Sequence, residues 1–196
     1  MSLDLSVEFW SDPQMSYVET RRACQSRICY QTHSHTTFSI GSVDVGQSRF
    51  SSHFSAEEKI ESGSLVVIPA HIEHACNPLP DQAWSYQMMH LDADWVAKLM
   101  TELALEWFDH KMAIIPSTHF PQFAPQIIKT PDLYQAFTDL NRLLFNPNIS
   151  VLAKEQNLIE VFTDILLPSF TWKQLDLPQY YQKKLDALIH ALNFES

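Results

Sequence analysis

Apolar positions in this chain follow two different periods, and the change falls near residue 91. Before it, short runs rich in β-branched and aromatic residues alternate with polar ones and end at turn residues. That pattern predicts strands over Ser16–Ala23, Ile28–Gln31, Thr37–Val45, Ser48–Phe54, Ser64–Pro69 and Trp84–Leu91. Gly46-Gln47, between two of these runs, predicts a hairpin turn. Many short strands with turns at this spacing predict a closed or sandwich-like all-β unit.

From Asp92 onward the period is helical. Asp92 is placed to cap a helix with Trp95, Leu99, Leu103 and Trp107 along one side. Thr130-Pro131 reads as N-cap and N1 proline of a second helix, with Leu133, Phe137, Leu140 and Leu144 on one face. Ser150 predicts the cap of a third, carrying Leu152, Ile159, Phe162 and Leu166 inward and stopping at Pro168. A fourth is expected from Pro178, presenting Tyr181, Leu185, Leu188 and Leu192. The expected organisation is a β-barrel over residues 1–91 and a helical region over 92–196. The stripe from Leu133 to Leu144 packs either on a second copy or on the chain's own barrel.

Charge narrows the function. The chain of 196 residues carries 13 Lys+Arg against 23 Asp+Glu, a formal net charge of −10. Neutralising phosphates needs a basic face, so nucleic-acid binding by this polypeptide alone is not expected. Residues 1–120 hold 7 basic and 15 acidic side chains and residues 121–196 hold 6 and 8, so neither half is basic. No apolar run approaches the roughly 18–20 residues of a membrane span. MSLDLSVEFWSD lacks the basic and apolar regions of a signal peptide. Cys24, Cys29 and Cys76 form no CxxC pair and are expected to be reduced thiols. A cytoplasmic location without contact to membranes is the expectation.

Candidate chemistry lies in two stretches. In HSHTTFSIG, His33 and His35 are two apart, so on an extended chain they share a face with Thr37 and Ser39. In GSLVVIPAHIEHACNP, a turn glycine and an apolar strand lead to His74 and Asn77. Together these stretches resemble the paired motifs of the cupin superfamily, an HxH strand facing a later G-x5-P-x4-H strand. That resemblance implies a double-stranded β-helix (jelly-roll) barrel, an α+β chain once the helices are included, and histidines converging inside it. It also departs from the metal-dependent pattern. Thr36 to Gly41 contains no carboxylate where a ligand Glu usually stands, and His71 occupies a position often held by glycine. Three histidines still suit Zn, Fe, Ni or Cu, so a divalent metal on His33, His35 and His74 stands beside a metal-free, ligand-lining role.

The stretch HACNPLPDQAWSYQMMHLDADW resembles the end of the sensor barrel in AraC-family transcription regulators, where an Asn-Pro turn leads to an aromatic strand and a helix opening near a Trp. The FSIG strand after HSH resembles one branch of the same family. The resemblance implies a small-molecule effector in the barrel, a helical dimerisation region, and DNA contact only through a helix-turn-helix unit of about one hundred residues that is not in this chain. It also places Trp84, Tyr86 and Met88 towards the effector, with His90 next in the same alternation; the other reading makes Trp84 and Tyr86 ordinary core aromatics. Arg21 beside Glu19 can fork a ligand carboxylate or form an ordinary surface pair. Phe9 and Trp10 are either an arm over the barrel mouth or a packed strand. The expectation is an effector-sensing, non-enzymatic domain; the rival is a metal-dependent cupin enzyme, a dioxygenase or isomerase, using His33, His35 and His74.

Overall fold

The strands form two facing sheets with helices against the back of one. The computed structural model describes residues 7–53, 55–109, 119–122, 124–166 and 171–174. The helix expected from Pro178 and the Trp107 side chain lie outside this set. In chain order the elements are β1 (Val7–Ser11), a short 3-10 turn (Pro13–Met15), β2 (Val18–Ser26), β3 (Phe38–Val45), β4 (Gln47–Ser52), β5 (Ser55–Glu61), β6 (Leu65–Ile68), β7 (His74–Pro78) and β8 (Trp84–Leu91). They continue with α1 (Ala93–Asp109), β9 (His119–Gln122), β10 (Gln126–Ile128), α2 (Pro131–Phe145), α3 (Val151–Leu166) and β11 (Thr171–Gln174).

One antiparallel sheet runs β1-β2-β8-β3-β6-β10, and the opposing one runs β5-β4-β7. β9 pairs separately with β11. This is the α+β, double-stranded β-helix architecture that the motifs imply. Gly46 has a φ of +87°, a backbone that glycine adopts at little cost. It does not close a hairpin, because β3 bonds β6 and β8 while β4 bonds β5 and β7. The turn instead carries the chain from one sheet to the other. A Cβ there would sit 2.8 Å from the carbonyl oxygen of Ala83.

Period-2 alternation gives the large sheet two apolar faces and two cores. Inside the barrel, Ala23, Val43, Phe50, Ile60, Val66, Ile68, Cys76, Trp84 and Tyr86 pack together. On the back, Val18, Phe38, Ile40, Leu65, Val67, Met89 and Leu91 meet Val96 and Met100 of α1, Phe137, Leu140 and Leu144 of α2, and Leu158, Phe162, Ile165 and Leu166 of α3. The α2 stripe therefore packs on its own barrel. Residue 91 is where strands give way to α1, but the core continues across it, and β10 adds to the edge of β6. The caps form as the sequence indicates for α1 and α3: Trp95 N–H donates to Asp92 Oδ1 (2.8 Å) and Ala153 N–H to Ser150 Oγ (3.3 Å).

The structure corrects two further expectations, decides one open alternative and adds strands that the pattern did not show. Ile28–Gln31 is not a strand; the Asn77 side chain takes the place of a ladder, accepting from Tyr30 N–H (2.6 Å) and donating to Tyr30 C=O (2.9 Å). Leu152 is exposed, because the 3.6 period back from Phe162 runs through Leu158 to Lys154, which is buried with Nζ 5.1 Å from the Trp10 ring centre. Phe9 and Trp10 belong to β1, an ordinary strand paired along its length with β2. Charged SAEEKIE and Pro-terminated HACNP, neither a predicted strand, form β5 and β7.

A fully buried polar contact crosses the back core: Thr20 Oγ1 of β2 bonds Asn141 Oδ1 of α2, and Asn141 Nδ2 donates to Phe137 C=O (3.0 Å). Truncating Asn141 to Ala removes this cross-core bond, leaving the threonine hydroxyl only Met88 C=O (3.2 Å), and opens space. A loss of about 1–3 kcal/mol in unfolding free energy is expected by denaturant titration, against a small effect for exposed Gln135→Ala.

Candidate ligand and metal site

The inner face of the large sheet is built in cross-strand rows. Val7, Ala23, Tyr86 and Val43 lie abreast; next come Phe9, Arg21, Met88 and Gly41; then Ser11, Glu19, His90 and Ser39. Gly41 is small for a reason: a Cβ there would meet Met88 Cε at 2.8 Å. Residues directly opposite each other share a face. The rows therefore carry Arg21, Tyr86, Met88 and His90 together on the concave side, with Trp84 stacked on Tyr86 at 4.3 Å.

The other wall comes from the chain around His33 to His35, stitched to β7 by paired bonds between His33 and His74 (3.0 and 2.9 Å). His35 C=O accepts from His71 N–H at 2.7 Å, so His71 supports the loop through its backbone, at a φ of +64°. The cavity between the walls is lined by Arg21, Tyr30, His33, His35, His74, Cys76, Trp84, Tyr86 and Met88. Its volume is about 30 Å³, room for one or two water-sized groups, and it opens on one side. A larger cleft of about 520 Å³ lies around Arg27, Arg49 and Glu57 outside the small sheet, where Arg49 and Glu57 already pair at 3.2 Å.

The histidines form one cluster. Ring centres of His33 and His74 are 4.7 Å apart, His33 and His35 4.8 Å, His35 and His74 5.3 Å, and His35 and His90 5.1 Å. Burial lowers the pKa of His35, aided by His74, His33 and Arg21. It lowers that of His74 as well, although the bond to Ile72 C=O opposes the shift. Burial, then His35 and Arg21, push His90 down to about 4. Burial also raises the Cys76 thiol to about 12, which keeps it protonated. At neutral pH His35, His74 and His90 are therefore uncharged, with the Arg21 guanidinium as the cation beside them.

One ring nitrogen from each of His33, His35 and His74 lies within 4.8 Å of the others. His33 Nδ1 is 2.7 Å from Gln31 C=O, and His74 Nδ1 is 2.8 Å from Ile72 C=O. A carbonyl accepts only, so Nδ1 carries the proton in both and Nε2 keeps a lone pair. Metal-binding histidines are oriented by the same outer bonds. The three residues therefore fit a divalent transition ion held by neutral imidazoles. Among the described residues no carboxylate joins them.

The AraC-like ligand binding domain profile matches residues 16–162, about three-quarters of the chain. The chain belongs to this AraC-like family. The matched span runs from β2 through nearly all of α3, taking in both cores. Among solved structures, ToxT from Vibrio cholerae is similar at 9% identity with a TM-score of 0.52, covering 84% of this chain and 55% of its own. The chain thus spans about half the length of ToxT, and the likeness concerns the fold. A cupin family protein with a double-stranded β-helix fold from Methanocaldococcus jannaschii matches at 8% identity and a TM-score of 0.40, over 48% of this chain and 87% of its own. A Cupin 2 conserved barrel domain protein from Salinispora arenicola matches at 18% and 0.38, over 51% and 87%. Comparison with curated proteins finds no match.

Within this AraC-like barrel, seven of the eight candidate residues gather at the cavity: His33, His35, His74, Trp84, Tyr86, Met88 and Arg21. Glu19 does not. It is exposed in the outermost row and lines a separate depression with Ser11 and Asp92, forming no ion pair with Arg21. Tyr30 and Cys76 also line the cavity and were not candidates. Cys76 lies two residues past His74 on β7, so the alternation contained its signal. Tyr30 reaches Tyr86, with hydroxyls 3.4 Å apart, only because Asn77 pins its backbone.

Proposed function

We propose that this chain is the effector-sensing part of an AraC-type transcription regulator, which binds a small polar metabolite in the barrel and does no chemistry on it. The observation that carries the reading is the inner face of the large sheet, where Arg21, Trp84, Tyr86 and Met88 join the histidines in one cavity inside a chain of the AraC-like ligand-binding family. Small ligands are held by apolar and aromatic walls with a few convergent polar groups. The same strand serves both sides. On β8, Tyr86 and Met88 face the cavity, whereas Gln87 Nε2 donates to Asp44 Oδ1 (3.0 Å) on the back and Met89 enters the helical core. Tyr134 of α2 donates to the same carboxylate oxygen at 3.2 Å.

An effector that moves Tyr86 or Met88 thereby changes how α2 is held, by no more than its differential affinity for the two arrangements. The barrel over residues 1–91 receives the signal. The region over 92–196 passes it to a homodimer partner and to a helix-turn-helix unit outside these residues. DNA is reached only through that unit. No described helix is long and apolar enough to cross a membrane, in keeping with the cytoplasmic location we propose.

A second reading has one specific observation in its favour, the Nδ1-protonated tautomers of His33 and His74. Under it, His33, His35 and His74 hold a divalent metal, with a metal-dependent cupin enzyme as the functional consequence. When bound, such an ion would supply Lewis acidity. Thermal unfolding in a metabolite panel, with and without Zn, Mn, Fe and Ni, separates the two. A sensed metabolite at one hundred times its dissociation constant stabilises the fold by about 2.7 kcal/mol, a shift of several degrees. Tyr86→Ala is expected to abolish most of that shift and Gln87→Ala to preserve it. A large response to metal alone that needs all three histidines, with none to metabolites, would replace the sensor reading by the enzyme one.

A further inference from the structure

The donors and acceptors around the cavity are unbalanced. Arg21 makes no ion pair among the described residues, and its buried Nε has no hydrogen-bond partner. The indole Nε1 of Trp84, whose side chain is almost fully buried, is also unpartnered. Both groups only donate. No Asp or Glu lines the cavity, and the nearest in the rows, Glu19, stands outside it. A buried donor without an acceptor is destabilising, more so when charged, so this arrangement asks for an occupant that accepts and carries negative charge. The guanidinium matches a planar two-oxygen anion best, because its parallel N–H groups bond both oxygens at once.

Shape limits the rest of the molecule. A volume of about 30 Å³ takes a head group and little more. Outward from Arg21 the same row continues to Phe9, its register partner on β1, which is 72% exposed on the concave side. Val7, the next inward-facing residue of β1, is 44% exposed. Inward in the row stands Met88, whose unbranched thioether can re-pack around a guest. On its β1 side the cation is therefore flanked by apolar side chains.

We propose that the effector is a small organic monocarboxylate, its anionic end forked by Arg21 beside Met88 inside the cavity and its apolar body carried outward onto Phe9. The inference rests on the sensor reading of this site and adds the ligand class.

The experiment titrates the full chain with hexanoate and benzoate, and in parallel with hexanamide and benzamide. Binding is followed by calorimetry and thermal shift, with EDTA present so that no histidine-held cation supplies the attraction. At least one carboxylate is expected to bind at least tenfold more tightly than its amide. Arg21→Gln is expected to remove that preference, and Arg21→Lys to restore it only in part because the fork is lost. Phe9→Ser, at an exposed position that leaves the core intact, is expected to weaken hexanoate more than acetate, which is titrated alongside. This variant keeps the test decisive should Arg21→Gln fold poorly.

Equal binding of acid and amide, or undiminished acid binding by Arg21→Gln, overturns the proposal. If neutral metabolites such as sugars bind in a Tyr86-dependent way and carboxylates do not, the carboxylate class falls while the sensor reading stands. If no small molecule binds, both fall.

Discussion

Phe162→Ala is expected to lower the unfolding free energy by about 3–5 kcal/mol, the usual cost of deleting a fully buried aromatic side chain from a packed core. The ring sits at the junction of barrel and helices, 5.8 Å from Phe38 of β3 edge-to-face and 5.9 Å from Trp95 of α1. Its loss removes contacts from three elements at once, and the two neighbouring aromatics cannot collapse into the space without moving a strand. For a chain of this size the fall in melting temperature is on the order of ten degrees. The informative part is the shape of the transition. Because the back core is continuous from β3 to α3, tryptophan fluorescence and far-UV circular dichroism should report one shared, earlier transition. If the helical signal melts early while the barrel signal stays at the wild-type temperature, the two regions do not share a cooperative core.

What the sequence revealed depended on how local each determinant is. The parity of β8 was legible because strict alternation separates Trp84, Tyr86 and Met88 from Gln87 and Met89, and the two sets do face cavity and helices. His33 and His35 were legible as a same-side pair, although their segment is bridged to His74 and is not a regular strand. Glu19 shows the limit of parity. It shares the face of Arg21, but one row further out the sheet has left the cavity, and a period cannot say where a barrel ends. Strands β5 and β10 carried no local signal: one is charged, and the other is three residues held only by pairing with β6. On α3 an apolar position chosen by type, Leu152, displaced the position chosen by period, Lys154, because a lysine stem can be buried with its ammonium over an indole. Tyr30 was hidden for a related reason, since a side-chain amide, not a ladder, holds its backbone at the cavity.

Acidification from pH 7 to pH 5 is expected to destabilise this chain, and the histidine cluster is the cause. His90 has its Nδ1 2.9 Å from Ser39 Oγ and 3.3 Å from Thr37 Oγ1, with the ring against His35 and the Arg21 guanidinium near. Burial and these neighbours hold its pKa near 4 in the fold, against about 6.5 for a histidine in an unfolded chain. Between those values the unfolded state binds the proton and the native state does not, so stability rises with pH across the window. In full above pH 6.5, this contribution is lost as pH falls towards 4, and below that both states are protonated. The difference from His90 alone amounts to roughly 3 kcal/mol at saturation. His35 and His74, also shifted down, act in the same direction. Ordinary carboxylates titrate near 4, so the interval from 6.5 to 5 reports mainly on histidines. Denaturant titrations at half-unit steps in EDTA should show a rising slope there. His90→Gln should flatten it, since an amide keeps a polar tip towards Ser39 and does not titrate. Arg21→Gln should reduce it, because removing the cation lets His35 and His90 accept a proton more readily in the fold. A wild-type profile that is level from pH 7 to 5 would mean that the rings of His35, His74 and His90 are solvated and charged in the fold, against their burial in it.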